Sequence, residues 1–159
     1  MKPASITELK KELKYRSHDQ LVDYCLTMAR FKLESKELLN YLVFESENEE
    51  SYIQGVKSYI STSFLEINTN SYHYIKKSTR KILRQTKRFI RYSKKKDTEA
   101  QLLLHFCQEL LDIKPSIRRN AVLVNMYNRQ LIMAQKAIDK LHEDLQYDYQ
   151  LLLEDFPKL

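Results

Sequence analysis

The amino-acid sequence predicts an all-α fold, a single multi-helix domain of about seven helices arranged as an irregular bundle. Three observations support this. The 159 residues include one glycine and three prolines, apolar residues recur every three or four positions, and no strand-like alternation is present. The length suits one domain covering residues 1–159. A short α-α superhelix of stacked helix pairs stays open as an alternative.

The first helices are predicted from their starts. Ser5 with Glu8, and Ser17 with Gln20, match the capping box, in which two side chains satisfy the free N–H groups at a helix start. These pairs predict the first two helices. Ser35 is predicted to cap a short third helix, because Ser, Thr, Asp and Asn are the preferred N-cap residues.

The later helices follow from charge, cap residues and spacing. The acidic stretch 45–50 is predicted to be a loop that enters the fourth helix, where negative charge suits the first turn. Residues 68–71 are predicted to end that helix and cap the fifth, and Asp97 to cap the sixth. Pro115 marks a boundary. Beyond it, apolar residues between 123 and 152 are spaced by three or four, which predicts one last helix of about nine turns.

The fifth predicted helix carries an unusual charge pattern. Residues 76–96 contain eleven Lys/Arg and no acid. At about 100° per residue, ten of these side chains fall within one arc of roughly 140° that holds no other residue type. Isoleucine, leucine, phenylalanine, threonine and serine lie opposite, which predicts a buried side. We call the ten residues the basic face: Lys76, Lys77, Arg80, Lys81, Arg84, Lys87, Arg88, Arg91, Lys94 and Lys95.

The positive charge of the chain belongs to this one element. The sequence has 27 Lys+Arg and 21 Asp+Glu, a net charge of +6, and without the eleven basic residues it has 16 against 21, a net charge of −5. A one-sided basic stripe creates a local field that attracts phosphates. The sequence therefore predicts non-catalytic binding of the nucleic-acid phosphate backbone or another polyanion, in which each Lys/Arg neutralises phosphate and none recognises a base.

Two alternatives stay open for the basic face. In the first, the chain is a helical scaffold or adaptor whose basic face pairs with an acidic protein surface or with its own acidic C-terminal helix, and whose long last helix offers a homodimer seam. The acids concerned are Asp139, Glu143, Asp144, Asp148, Glu154 and Asp155. In the second, the helix lies on a membrane surface. This is disfavoured because Thr79, Thr86 and Ser93 run along its apolar side and the chain has no Trp.

No motif predicts catalysis, a cofactor or a metal. A single glycine excludes Gly-rich phosphate loops and dinucleotide fingerprints. Asp139 and His142 form one carboxylate–x–x–His pair, but a di-metal helical bundle needs two such pairs and further carboxylates. Cys25 and Cys107 are predicted to be buried free thiols rather than a disulfide. We therefore expect a binding protein and not an enzyme.

The sequence also predicts a cytoplasmic location. The first eight residues contain no apolar leader, and no apolar run approaches the roughly 18 residues of a membrane span.

Part of the chain resembles a known family. The stretches 36–42 (KELLNYL), 76–84 (KKSTRKILR) and 90–93 (IRYS), with Tyr52, look like a family of small bacterial all-helical proteins, a domain of unknown function common in Bacteroidetes. The likeness covers roughly residues 5–113. It implies a bacterial cytoplasmic protein and carries no catalytic or binding residues with it.

Overall fold

The computed structural model describes residues 2–159, and its helices confirm the predicted all-α class. No β-strand occurs among these residues. A π-helical segment, Tyr41–Glu45, and a 3-10 turn, Ile117–Arg119, accompany eight α-helices. The helices are α1 (Ile6–Leu13), α2 (His18–Phe31), α3 (Leu33–Asn40), α4 (Glu49–Leu65), α5 (Tyr72–Ser93), α6 (Lys96–Asp112), α7 (Ala121–Ile138) and α8 (Glu143–Leu153).

The helices group into two compact units, one ending at Phe44 and one spanning Glu45–Leu159. The prediction of a single domain over residues 1–159 stays a prediction. In the first unit, both predicted capping boxes are confirmed. The Ser5 and Ser17 side chains accept hydrogen bonds from the backbone N–H of the third residue of their helices, Glu8 and Gln20. The side-chain oxygens of Glu8 and Gln20 in turn accept from the backbone N–H of Ser5 and Ser17.

The third helix begins earlier than predicted, so the Ser35 cap is wrong. Lys32 has an extended backbone between α2 and α3, with φ −145° and ψ 147°. Its carbonyl accepts hydrogen bonds from the N–H groups of Ser35 and Lys36. The bend in the chain therefore starts α3 at Leu33, and Ser35 lies inside the first turn.

The first unit leaves much apolar surface exposed. Among residues 2–44 only Ala29 and Tyr41 are buried, whereas Phe31 is 82% exposed. Cys25 is also exposed, so its predicted burial is wrong. A unit of fewer than about 50 residues has little volume for a core, because the fraction of surface buried on folding falls with size.

The second unit is an irregular bundle around α6. Helices α4, α5 and α7 all pack against it. Leu103 and Phe106 on α6 are wholly buried, and Phe106 meets Phe64 edge to face with ring centroids 5.4 Å apart. Cys107 is a buried free thiol, as predicted, and burial raises its pKa to about 12.

The turn between α5 and α6 differs from the predicted Asp97 cap. Lys94 adopts the left-handed conformation at φ 60° and ends α5, so that Lys95 becomes the N-cap of α6. Asp97 lies in the first turn. Its carboxylate accepts hydrogen bonds from Tyr149 Oη at 2.5 Å and Gln101 Nε2 at 3.0 Å. An N-cap carboxylate would accept from the backbone N–H groups of the first turn, but this carboxylate is bonded to the two side chains.

The last segment forms two helices, so the predicted nine-turn helix is wrong. Helix α7 ends at Ile138 and α8 begins at Glu143. Gln146 Nε2 donates to the carbonyls of Leu141 at 2.7 Å and Asp139 at 3.2 Å. These bonds satisfy carbonyls that the helix end leaves free, which allows a break without proline or glycine. A dimer seam of nine turns is therefore not present in this segment.

Candidate anion-binding surface

Helix α5 has the buried and charged sides that the sequence predicts, but it ends at Ser93 and not at residue 96 as predicted. Lys94 and Lys95 therefore lie in the turn after the helix. Its 22 residues extend about 33 Å. Thr79 and Thr86 are fully buried, and their hydroxyls donate to the carbonyls of Ile75 and Ile82 at 2.8 and 2.9 Å. Each hydroxyl is thus satisfied within its own helix. The small side chains face the bundle, which leaves the Lys/Arg side outward.

Most of the basic face is open to solvent. Lys76, Lys87 and Arg88 are half-buried, and the other seven side chains are exposed. The exposed members run the length of the helix and continue into the turn after it. They are Lys77, Arg80, Lys81, Arg84, Arg91, Lys94 and Lys95.

Among residues 2–159, few of these cations have a polar partner on another side chain. Lys95 Nζ lies 3.0 Å from Glu49 Oε2, and Arg88 Nη2 donates to Gln85 Oε1 at 2.5 Å. For the other eight members of the basic face, no Asp or Glu oxygen of residues 2–159 lies within 4.0 Å of the charged nitrogen. The structure therefore presents a row of cations that has no anionic partner among the described residues.

The acidic C-terminal residues do not supply that partner. Within residues 2–159, none of the six acids between Asp139 and Asp155 forms an ion pair with the basic face. Helix α8 instead packs on α7, and its Tyr149 bonds to Asp97 of α6. The intramolecular pairing considered from the sequence is not formed.

Helix α7 contributes residues that the sequence pattern did not reveal. Arg129 lines a groove of about 420 Å³ together with Arg80 and Lys87 of α5. A single arginine among the apolar repeats of α7 shows no charge pattern, and its proximity to α5 depends on the packing of both helices. The nearby amides of Asn125 and Gln130 were missed for the same reason.

The tyrosines that flank the basic face mostly serve packing. Tyr92 is buried, and Tyr72 Oη donates to the Ser116 carbonyl at 2.7 Å. Tyr74 is 49% exposed and lies edge to face with His73. Tyr74 is therefore the member of the three that is open for stacking on a base.

A second polar cluster lies where α4 meets α6. Ser61 Oγ is 2.8 Å from His105 Nε2 and 2.5 Å from Glu109 Oε1. In a serine–histidine–acid triad the acid binds the ring nitrogen opposite the serine. Here Glu109 approaches Nε2 itself, at 3.5 Å, so the cluster lacks that geometry. Burial is the main cause that lowers the pKa of His105, with Lys57 adding to it and Glu109 opposing it.

No three His, Cys, Asp or Glu side chains among residues 2–159 are grouped to hold a metal ion. His142 instead caps α8 through Nδ1, which accepts from the Asp144 N–H at 3.4 Å. None of the described helices has the length and apolar content needed to cross a bilayer.

Compared with known protein families, curated proteins and solved structures, the chain has no match.

Proposed function

We propose that this chain is a non-catalytic, cytoplasmic protein that binds nucleic acid, or another polyanion, through the basic face of α5. The observation that carries the proposal is the row of eight cations without an anionic partner among residues 2–159. Isolated surface ion pairs change the free energy of unfolding little, whether they form or are lost. A fold under no demand for an anionic ligand has no need to align eight cations on one side of α5 and to add two more in the turn after it.

The dimensions of the basic face fit a phosphate backbone. A helix of about 33 Å is close to the length of one turn of duplex DNA, roughly 34 Å. Arg80, Arg84 and Arg91 are exposed and can each make bidentate contacts to phosphate oxygens. Because the exposed members are all Lys or Arg, the contacts position the nucleic acid without selecting its sequence.

The test compares two triple charge reversals of equal size. Arg80, Arg84 and Arg91→Glu changes the basic face, whereas Lys114, Lys136 and Lys140→Glu changes exposed residues elsewhere in the second unit. Circular dichroism first establishes that both variants fold. Fluorescence anisotropy then measures the Kd for labelled duplex DNA and RNA over a salt series.

We expect the basic-face variant to lose about 100-fold or more in affinity at low salt, and the control to lose far less. The slope of log affinity against log salt should fall by about 2.7 on duplex DNA if all three arginines contact phosphate, at about 0.9 per contact. Equal losses in both variants, or no binding by the unmodified protein at low salt, would overturn the proposal. The latter outcome would favour the adaptor hypothesis, with an acidic protein surface as partner.

The family resemblance adds the proposal that the source is bacterial. The resemblance is consistent with polyanion binding and names no ligand.

A further inference from the structure

The groove between α5 and α7 combines cationic groups, apolar groups and the amides of Asn125 and Gln130 in one concavity of about 420 Å³. Cationic groups come from Arg80 and Lys87 on α5 and from Arg129 on α7. Apolar groups come from both helices and include the flexible side chains of Met126 and Met133. Small-molecule sites are typically concave and mostly apolar, with a few convergent polar groups. The groove has this composition.

Lys87 is the first group in the groove that lacks a good partner. Its ammonium is half-buried, and the hydrogen-bond acceptor it has among residues 2–159 is Met133 Sδ at 3.5 Å. A thioether is a weak acceptor. Burial lowers the pKa of Lys87, while the more distant Glu99, which is paired with Lys96, opposes that shift. An anion in the groove would replace the water that burial removes from this ammonium.

Gln130 is the second such group. It is 4% exposed, and its Nε2 donates to the Met126 carbonyl at 3.2 Å. Its Oε1 is buried and has no hydrogen-bond donor among residues 2–159. Buried polar atoms are nearly always paired in folded proteins. The residues that line the groove therefore include one under-satisfied ammonium, Lys87, and one amide oxygen without a donor, which suits a ligand with both an anion and an N–H or O–H group.

We infer that this groove holds one nucleotide of a single-stranded nucleic acid. The inference rests on the proposed function and adds the form of the ligand. The phosphate lies on Arg80, Lys87 and Arg129, the base packs on the methionine side chains, and the amides of Asn125 and Gln130 bond its polar edge. A base in a duplex would have to leave its stack and its pair to enter, whereas a base in a single strand is free to do so.

The experiment compares one arginine in the groove with one outside it. Arg129→Gln alters the groove, and Arg84→Gln makes the same change on the open basic face. Both positions are exposed, so that neither change disturbs the core. Each protein is titrated with a labelled single-stranded oligonucleotide and with its duplex. A 5′-mononucleotide, or inorganic phosphate at matched ionic strength, is then added as competitor.

We expect Arg129→Gln to weaken single-strand binding about tenfold and duplex binding less than about twofold. Arg84→Gln should weaken both alike, and the mononucleotide should displace the single strand better than phosphate does. If Arg129→Gln affects both forms equally or neither, the nucleotide site is wrong while the proposed function stands. If the unmodified protein binds neither form, both proposals fail.

Discussion

Two polar surfaces of the second unit differ in whether the fold satisfies its own charges. Around α4 and α6, polar groups meet partners from other helices. Lys57 Nζ donates to Gln101 at 2.7 Å, and Glu49 accepts the hydroxyls of Ser93 and Thr98. On the basic face, eight cations meet no carboxylate among residues 2–159. The first surface contributes to folding, and the second is available to a ligand.

The two surfaces should therefore respond differently to mutation. Changes on the α4–α6 surface should alter the free energy of unfolding and leave polyanion binding intact. Changes on the basic face should weaken polyanion binding and leave the free energy of unfolding nearly unchanged.

The largest effect on stability is expected at Glu49. Its side chain is 17% exposed, pairs with Lys95 and accepts hydrogen bonds from Ser93 and the fully buried Thr98. Glu49→Ala leaves the Thr98 hydroxyl without this acceptor, so we expect the free energy of unfolding to fall by about 1–3 kcal/mol. Urea denaturation followed by circular dichroism measures the change. Glu49→Gln keeps an acceptor, so its free energy of unfolding should fall less. A fall below about 0.5 kcal/mol in the alanine variant would contradict the view that this surface contributes to folding.

A smaller effect is expected from the titration of His105. Because its pKa is lowered in the folded state, the unfolded chain takes up a proton first as the pH falls. The stability contributed by neutral His105 is present above its ordinary pKa of about 6.5 and is lost below it. The facing groups are Ser61, Glu109 and Lys57.

Unfolding in urea from pH 8 to pH 5 measures this difference between the unmodified protein and His105→Gln. The unmodified protein should lose more stability over this range, because glutamine does not titrate while the other ionisable groups are shared. Parallel curves would show that His105 contributes nothing to the pH dependence.

The smallest effect on stability is expected at Arg84, which is exposed and has no ion pair among residues 2–159. Arg80 and Arg88 lie four residues away on either side, and like charges at this spacing repel weakly. We expect Arg84→Gln to change the free energy of unfolding by less than about 0.5 kcal/mol, with a slight gain at low salt. Denaturation at two salt concentrations checks this. A loss above about 1 kcal/mol would mean that the basic face serves the fold.

Local features of the chain were predictable because they depend on neighbouring residues. The caps at Ser5 and Ser17 form as predicted, and the cap predicted within residues 68–71 is made by Ser71. A cap joins atoms three residues apart, so it depends on local sequence. The buried side of α5 is correct for the same reason, because helical periodicity places Thr79 and Thr86 on the side opposite the basic face.

Contacts between distant residues were not predictable. Asp97 was expected to cap a helix, but it bonds to Tyr149, 52 residues away. The last helix was expected to be continuous because no proline or glycine marks a break. The break depends instead on the hydrogen bonds of Gln146 and on packing. Cys25 is exposed although it belongs to the apolar pattern of α2, because the burial of a residue depends on what packs against its helix.

The sequence by itself determined that this protein is helical and that a row of aligned cations runs along one helix, because both properties follow from local periodicity. Tertiary structure alone decided which of those cations are free to bind. It pairs Lys95 with Glu49, buries part of Lys87, and places Arg129 across the groove from Arg80. Each of these outcomes joins residues on different helices, and the packing of the helices sets their distances.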